Sequence, residues 1–252
     1  MKKENKIKIL ILAAGKGTRM KHDLPKVLVP LKGKPMIKYL LESVEKSGVC
    51  EKPCIVVGYG KELVKKELGD KYDYAVQEEQ LGTGHAVLCA QDYLKDDTDG
   101  VLVLYGDNPY ITPETIKKLA EEHLKFKNKI TMATVSLPDF EDWRAFFYTN
   151  FSRIVRDADG KILRSVEFRD ANDEEKKIKE INPCYFCFDA VWLLKELRNL
   201  KNNNAQKEYY LTDLVKKVIE EKENIESINI DPSEALAINS KEELEILEDF
   251  AV

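Results

Sequence analysis

The chain has 252 residues, 43% apolar and 34% charged, and carries a net charge of −5. That length fits one large α/β domain or two small ones; its acidic balance gives no chain-wide attraction to nucleic acid, so an anionic ligand must be held by local cations. No apolar run approaches the ~20 residues of a membrane span, and the apolar stretch after the basic start meets a glycine turn without a cleavage site, so a cytoplasmic protein with no nucleic-acid or membrane partner is expected.

The first element is the strand "IKILIL" (7–12), which runs directly into the turn "LAAGKGTRM" (12–20). A cation-rich stretch, "LPKVLVPLKGKPM" (24–36), follows. In "PMIKYLLESVEKSG", apolar Met36, Ile37, Leu40, Leu41 and Val44 recur at helical spacing, and Gly48 is the expected stop. The runs "CIVVG" (54–58), "YAVQ" (74–77) and "VLVLYG" (101–106) are continuous rather than alternating, as in strands covered on both faces. Helices are expected at "HAVLCAQDYL" and at "ITPETIKKLAEEHL", the latter with Thr112 as N-cap and Pro113 in the first turn. This alternation predicts a doubly wound, mostly parallel mixed sheet of the Rossmann-like α/β class.

The second half reads differently. "ITMATVSL", "SRIVRD", "KILRSVEF" and "EINPCYFCF" are expected strands, with "DADGK" as a hairpin turn between the second and third. Helices "AVWLLKELRNL" and "LTDLVKKVIEEK", the strand "ESINI", and a last helix opened by the capping box Ser240–Glu243 complete the chain. With no linker, repeat or low-complexity segment, residues 1–252 are expected to form one domain with two halves, 1–128 and 129–252. Its ligand cleft should open at the carboxyl ends of the parallel strands. Five cysteines suit a reducing compartment. Cys184 and Cys187, three apart on a strand, would point to opposite faces, so they are read as packing residues; Cys50 and Cys54 are read the same way.

Glycines after a strand bring backbone N–H groups close to phosphate. "GKGTRM" lacks the spacing of a Walker loop, and Met20 stands where a dinucleotide fingerprint needs its third glycine. The pattern "LAAGKGTRM…DLPKVL…GKPM" instead resembles the sugar-nucleotide pyrophosphorylases, a nucleotidyltransferase family. More narrowly it is similar to the uridyltransferase domain of the bifunctional N-acetylglucosamine-1-phosphate uridyltransferase/glucosamine-1-phosphate acetyltransferases. "QEEQLGTGHA" (77–86), "VLYGDNPYI" (103–111), "EINP" (180–183), "NNNAQKEYYLTD" (202–213) and "AIN" (237–239) continue the likeness in the family's order.

The resemblance implies a nucleotidyltransferase fold with a sugar-binding lobe, and a Mg²⁺-dependent reaction between UTP and a sugar-1-phosphate that yields a UDP-sugar and pyrophosphate. A phosphomonoester is already ionised near neutrality, its second pKa being about 6, so no general base is required. The work is to bring two anions together and to stabilise an in-line transition state. By resemblance, Arg19 and Lys26 are the catalytic cations, and Asp107 and Asn239 hold Mg²⁺. Leu12, Ala13, Ala14, Gly15, Gln77, Gly82, Thr83, Tyr105 and Gly106 bind the nucleotide. Ser152, Glu167, Asn182, Glu208 and Tyr209 bind the sugar, with Thr212 nearby. His85 is read as a helix-start residue.

Two blocks depart from the family. Ser152 in "NFSRI" stands where the family has a sugar-contacting glycine, and Pro183–Cys184 replaces a threonine-glycine pair. The longer loop "PDFEDWRAFFYTN" carries Trp143, Phe146, Phe147 and Tyr148. These aromatics could form a stacking wall or lid beside the sugar, or pack onto the lobe or a second subunit. N-acetylglucosamine-1-phosphate is the first expectation for the sugar; another hexosamine, glucose or a further sugar-1-phosphate remains open. So do a thymidylyl-, guanylyl- or cytidylyltransferase of the same fold and a non-catalytic sugar-nucleotide-binding module. The acetyltransferase β-helix of the bifunctional relatives has no counterpart in the sequence, so the expectation is a monomer or small homo-oligomer rather than the β-helix trimer.

Overall fold

The computed structural model describes residues 6–20, 22–94, 98–204 and 206–248, apart from the side chains of residues 242, 246 and 248. The basic start (1–5) and the end of the chain (249–252) lie outside the described residues.

The first half builds strands β1 (Ile7–Ala13), β2 (Pro30–Leu31), β3 (Lys34–Pro35), β4 (Cys54–Val57), β5 (Asp73–Val76) and β6 (Gly100–Tyr105). Its helices are α1 (Met36–Ser47), α2 (Lys61–Leu68), α3 (Thr83–Cys89), α4 (Gln91–Leu94) and α5 (Pro113–Phe126). The second half adds strands β7 (Ile130–Ser136), β8 (Ser152–Arg156), β9 (Ile162–Val166), β10 (Glu180–Asn182), β11 (Phe186–Asp189) and β12 (Ile225–Asn229). Helices α6 (Phe146–Asn150), α7 (Asp173–Lys176), α8 (Ala190–Leu197), α9 (Asp213–Glu220) and α10 (Lys241–Glu248) accompany them.

One sheet of ten strands joins both halves in the order β5-β4-β1-β6-β11-β7-β10-β8-β9, with β12 paired to β7. From β5 to β6 the ladders are parallel; β11 runs antiparallel to both β6 and β7, and β12 runs parallel to β7. The chain moves outward from β1 to β4 and β5, then returns to β6 on the other side of β1. That reversal opens a crevice at the carboxyl ends of β1 and β6, where ligands of open α/β sheets bind.

Alternate residues of β1 enter separate cores: Ile7, Ile9, Ile11 and Ala13 pack on one face of the sheet, Leu10 and Leu12 on the other. This explains the unbroken apolar run, because helices cover both faces. α1 buries the anticipated Met36, Ile37, Leu40, Leu41 and Val44 and stops at Gly48, whose φ of 65° is left-handed. Thr112 caps α5 by accepting from the Thr115 backbone N–H. At the β8–β9 hairpin the Asp157 carboxylate accepts from the N–H groups of Asp159 and Lys161. The capping box of α10 joins the Ser240 hydroxyl to the Glu243 N–H and the Glu243 carboxylate to the Ser240 N–H.

Three expectations are corrected. "EINPCYFCF" is two strands, β10 and β11, because Pro183 donates no N–H and Cys184 turns the chain at φ 65°. Cys184 and Cys187 do reach opposite cores, through that break rather than through strand alternation. "YAVQ" yields β5, at the end of the sheet's strand order, and its residues are half-buried rather than buried. "HAVLCAQDYL" interrupts at Ala90, which separates α3 from α4.

Candidate active site

An open cleft lies at the predicted strand ends. Leu12, Ala13, Ala14 and Gly15 form one wall as β1 runs into its turn. Tyr105 and Asp107 form the wall beyond β6, and Gln77, Gly82 and Thr83 close the side beyond β5, with Glu208 reaching in from the second half. These two loops are locked together by the Gly106 N–H, which donates to the Leu12 carbonyl at 2.9 Å.

Lys26 sits at the start of a 3-10 turn set by Pro25. The turn of residues 15–20 packs on its stem: a Cβ at Gly17, whose φ is +65°, would lie 2.5 Å from Lys26 Cβ. Only glycine fits both the dihedral and the approach. The Lys26 ammonium donates to Asp107 Oδ2 and, at 2.8 Å, to Asn239 Oδ1. The side chains of Lys26 and Asp107 are only 13% and 20% exposed, so this pair is shielded from bulk water. Asn239 arrives from 132 residues farther along because the Ile238 N–H donates to the Asp107 carbonyl at 3.0 Å. Two hard oxygens thus converge on one point that already takes a cation. Among the described residues no group of three or more His, Cys, Asp and Glu could hold a metal by itself. A donor set of one carboxylate and one amide oxygen fits Mg²⁺, which completes its shell with phosphate and water.

Gln77 is 3% exposed, and its Nε2 donates to the Gly82 carbonyl at 3.0 Å and contacts His85 Nδ1 at 3.1 Å. Gly82 has φ 104°, and a Cβ there would lie 2.6 Å from the Tyr209 carbonyl oxygen. Its loop is sewn to the second half by the Tyr209 N–H on the Leu81 carbonyl, the Gly84 N–H on the Tyr209 carbonyl and the Leu211 N–H on Thr83 Oγ1. Asn204 shapes the turn that presents Glu208, accepting from its N–H and donating to its carbonyl.

Several expected site residues lie outside the lining of this cleft. Arg19 is exposed in the 3-10 turn Thr18–Met20. Gly106 lies behind the wall, where an added Cβ would meet Val27 Cγ1 at 2.8 Å. Ser152 and Asn182 are buried neighbours across β8 and β10. The Asn182 amide oxygen accepts from the Cys184 N–H at 2.8 Å, and its Nδ2 donates to Ser165 at 3.3 Å. Glu167 is close enough to add to the shift of the Cys184 thiol, which burial pushes up to about 12. Burial also lifts the Tyr105 phenol well above its ordinary value; Cys184 and Asp107 add to the rise and Thr83 opposes it. Tyr105 itself lines the cleft.

Sequence reasoning did not single out Gln80, Val27 or Ala86, which also line the cleft. Gln80 was within reach, since it lies three residues after Gln77 in the same motif; the two apolar residues gave no signal distinct from core packing. The aromatic loop packs on its own lobe. Phe147 is fully buried among Trp143, Phe146 and Phe151. The guanidinium of fully buried Arg153 lies over the rings of Phe140, Tyr148 and Phe168. None of these rings lines the cleft.

Residues 9–215 match the MobA-like NTP transferase domain. Among curated relatives, the chain is 41% identical over 236 residues to the bifunctional protein GlmU of Clostridium botulinum (strain Loch Maree / Type A3), covering 93% of this chain and 50% of that protein. It is 46% identical over 206 residues to GlmU of Geobacillus thermodenitrificans, covering 82% and 43% respectively. It is 40% identical over 247 residues to GlmU of Desulfotalea psychrophila, covering 97% and 70%. The chain spans about half the length of the first of these relatives. No helix among the described residues is long and apolar enough to cross a membrane. With its α/β fold, its strand-end cleft and these likenesses, the chain belongs to the MobA-like NTP transferase domain family, as a nucleotidyltransferase of the sugar-nucleotide pyrophosphorylase type similar to GlmU.

Proposed function

We propose that this chain is a Mg²⁺-dependent uridylyltransferase that joins UTP and a sugar-1-phosphate, with N-acetylglucosamine-1-phosphate the preferred sugar, to give a UDP-sugar and pyrophosphate. The observation that carries this reading is the Lys26 ammonium held between Asp107 and Asn239 beside a turn open to phosphate. When bound at Asp107 and Asn239, Mg²⁺ would supply positive charge to the phosphates of the nucleotide. With those oxygens on Mg²⁺, the Lys26 ammonium would turn to the phosphates as a second cation, and exposed Arg19 supplies one from the turn when the triphosphate is in the cleft. The backbone of Leu12–Gly15 flanks the phosphates, while Gln77, Gly82 and Thr83 meet the base. Glu208 holds the sugar, with Tyr209, Ser152, Glu167 and Asn182 shaping that side. Residues 1–128 act as the nucleotide half and 129–252 as the sugar half of one domain. The reading is of a cytoplasmic enzyme, a monomer or small homo-oligomer, that engages neither nucleic acid nor membrane.

The test is pyrophosphate release with UTP and Mg²⁺ against a panel of sugar-1-phosphates, repeated with other nucleoside triphosphates. Selective turnover of N-acetylglucosamine-1-phosphate with UTP is expected. Preference for another nucleotide, or silence with every sugar, would overturn the proposal.

A further inference from the structure

We propose that His85 is a positioning residue for nucleobase choice, holding Gln77 so that its amide carbonyl, not its NH₂ group, faces the base. The inference rests on the reading that Gln77 meets the base. A glutamine amide can present either a donor or an acceptor, and a buried one takes the orientation that its neighbours satisfy. Here the neighbours are unequal. The Gly82 carbonyl, 3.0 Å from Nε2, can only accept. His85 Nδ1, 3.1 Å from the same nitrogen, must then accept as well, since that N–H has no lone pair to offer. The His85 ring proton then sits on Nε2, 3.8 Å from Cys89 Sγ, a soft acceptor.

Both hydrogens of Gln77 are thus used inside the protein, and no hydrogen bond among the described residues engages its Oε1. Turning the amide over would set Oε1 against the Gly82 carbonyl lone pairs and would need His85 to carry its proton on Nδ1 instead of on Nε2 beside Cys89. The cleft is left with an acceptor, which suits the N3–H of uracil or thymine and opposes the N3 lone pair of cytosine. His85 acts from behind. It is absent from the cleft lining and instead faces a separate cavity with Leu88, Leu197 and Leu200.

The experiment measures UTP and CTP affinity by calorimetry in Mg²⁺, which needs no knowledge of the sugar. The unmodified chain, His85→Phe, His85→Asn and Gln77→Leu are compared, with thermal unfolding as the fold check and His85→Leu in reserve. Asn at position 85 can return an acceptor oxygen to the place of Nδ1. His85→Phe is expected to reduce the UTP-over-CTP preference about tenfold, the order of one lost polar contact, and His85→Asn to keep most of it. An unchanged preference in folded His85→Phe and His85→Leu, with the preference lost in Gln77→Leu, overturns the proposal alone. A preference that survives Gln77→Leu, or none in the unmodified chain, overturns the base reading and the proposal with it. A loss of stability in His85→Phe with the preference intact assigns His85 to packing and also overturns it.

Discussion

Lys26 gathers more of the site than any other side chain. Its stem fills the space beneath Gly17 and its ammonium bridges Asp107 and Asn239, so one residue couples the glycine turn to the oxygens proposed for the metal. Lys26→Ala and Asp107→Ala are each expected to lower turnover by roughly two orders of magnitude or more, as loss of a charge-stabilising group commonly does. Pyrophosphate release by variants with unchanged circular dichroism checks this, and near-normal rates would remove both residues from the chemistry. Gly82 acts sterically. Its φ of 104° and the Tyr209 carbonyl 2.6 Å from any added Cβ leave no room for a side chain. Gly82→Ala should destabilise the fold by about 3 kcal/mol through strain and overpacking, read from the urea midpoint. It should also weaken UTP binding, because the Gly82 carbonyl is one of the two anchors of Gln77.

At the scale of elements, the start of α5 depends on a residue 122 positions away. The buried Glu234 carboxylate accepts from the Thr112 N–H and hydroxyl and from the Thr115 hydroxyl, while its backbone carbonyl accepts from Tyr185. Thr112 announced the cap in the sequence; Glu234, the carboxylate that satisfies the helix end, gave no local sign. Glu234→Ala leaves three donors without their acceptor and is expected to cost about 3 kcal/mol, at roughly 1 kcal/mol for each lost bond. Equilibrium denaturation should show this as a lower midpoint. The aromatic loop follows a comparable logic. The Arg153 side chain donates to the Phe151, Tyr148 and Lys176 carbonyls while its charge rests against three rings, which ties the loop to β8.

At the scale of the molecule, long-range hydrogen bonds close the cleft from both halves: Ile238 to Asp107, Tyr209 to Leu81, and Leu211 to Thr83. Both halves share one sheet, so titration in its core is expected to be felt throughout. His123, 3% exposed and hydrogen-bonded to Thr131, is lowered by burial from 6.5 to about 4, with Asp189 opposing the shift. Because the folded value is the lower one, the unfolded chain takes up the proton first as pH falls. The stability that neutral His123 provides is whole above about pH 6.5 and drains away toward pH 4. At about 1.4 kcal/mol per pH unit, the loss over that window is about 3 kcal/mol. Chemical denaturation from pH 7 to 4 should therefore fall less steeply in His123→Gln than in the unmodified chain; parallel curves would contradict this.

Strand–helix alternation, the caps at Thr112 and Ser240, the stop at Gly48 and the glycine turn at the end of β1 were legible in the local pattern of residues. Each is written in local periodicity or in the conformational limits of one residue type. The sequence also supplied, by resemblance, Lys26, Asp107 and Asn239, which the fold brings together. Long-range packing set the division of "EINPCYFCF" between two places in the sheet, the half-burial of β5 and the inward turn of Asn182 and Ser152. It alone joined His85 to Gln77 and Glu234 to α5. Those outcomes depend on which strands pair and on which distant polar group meets each buried donor, and neither is encoded within the span of a single turn or helix.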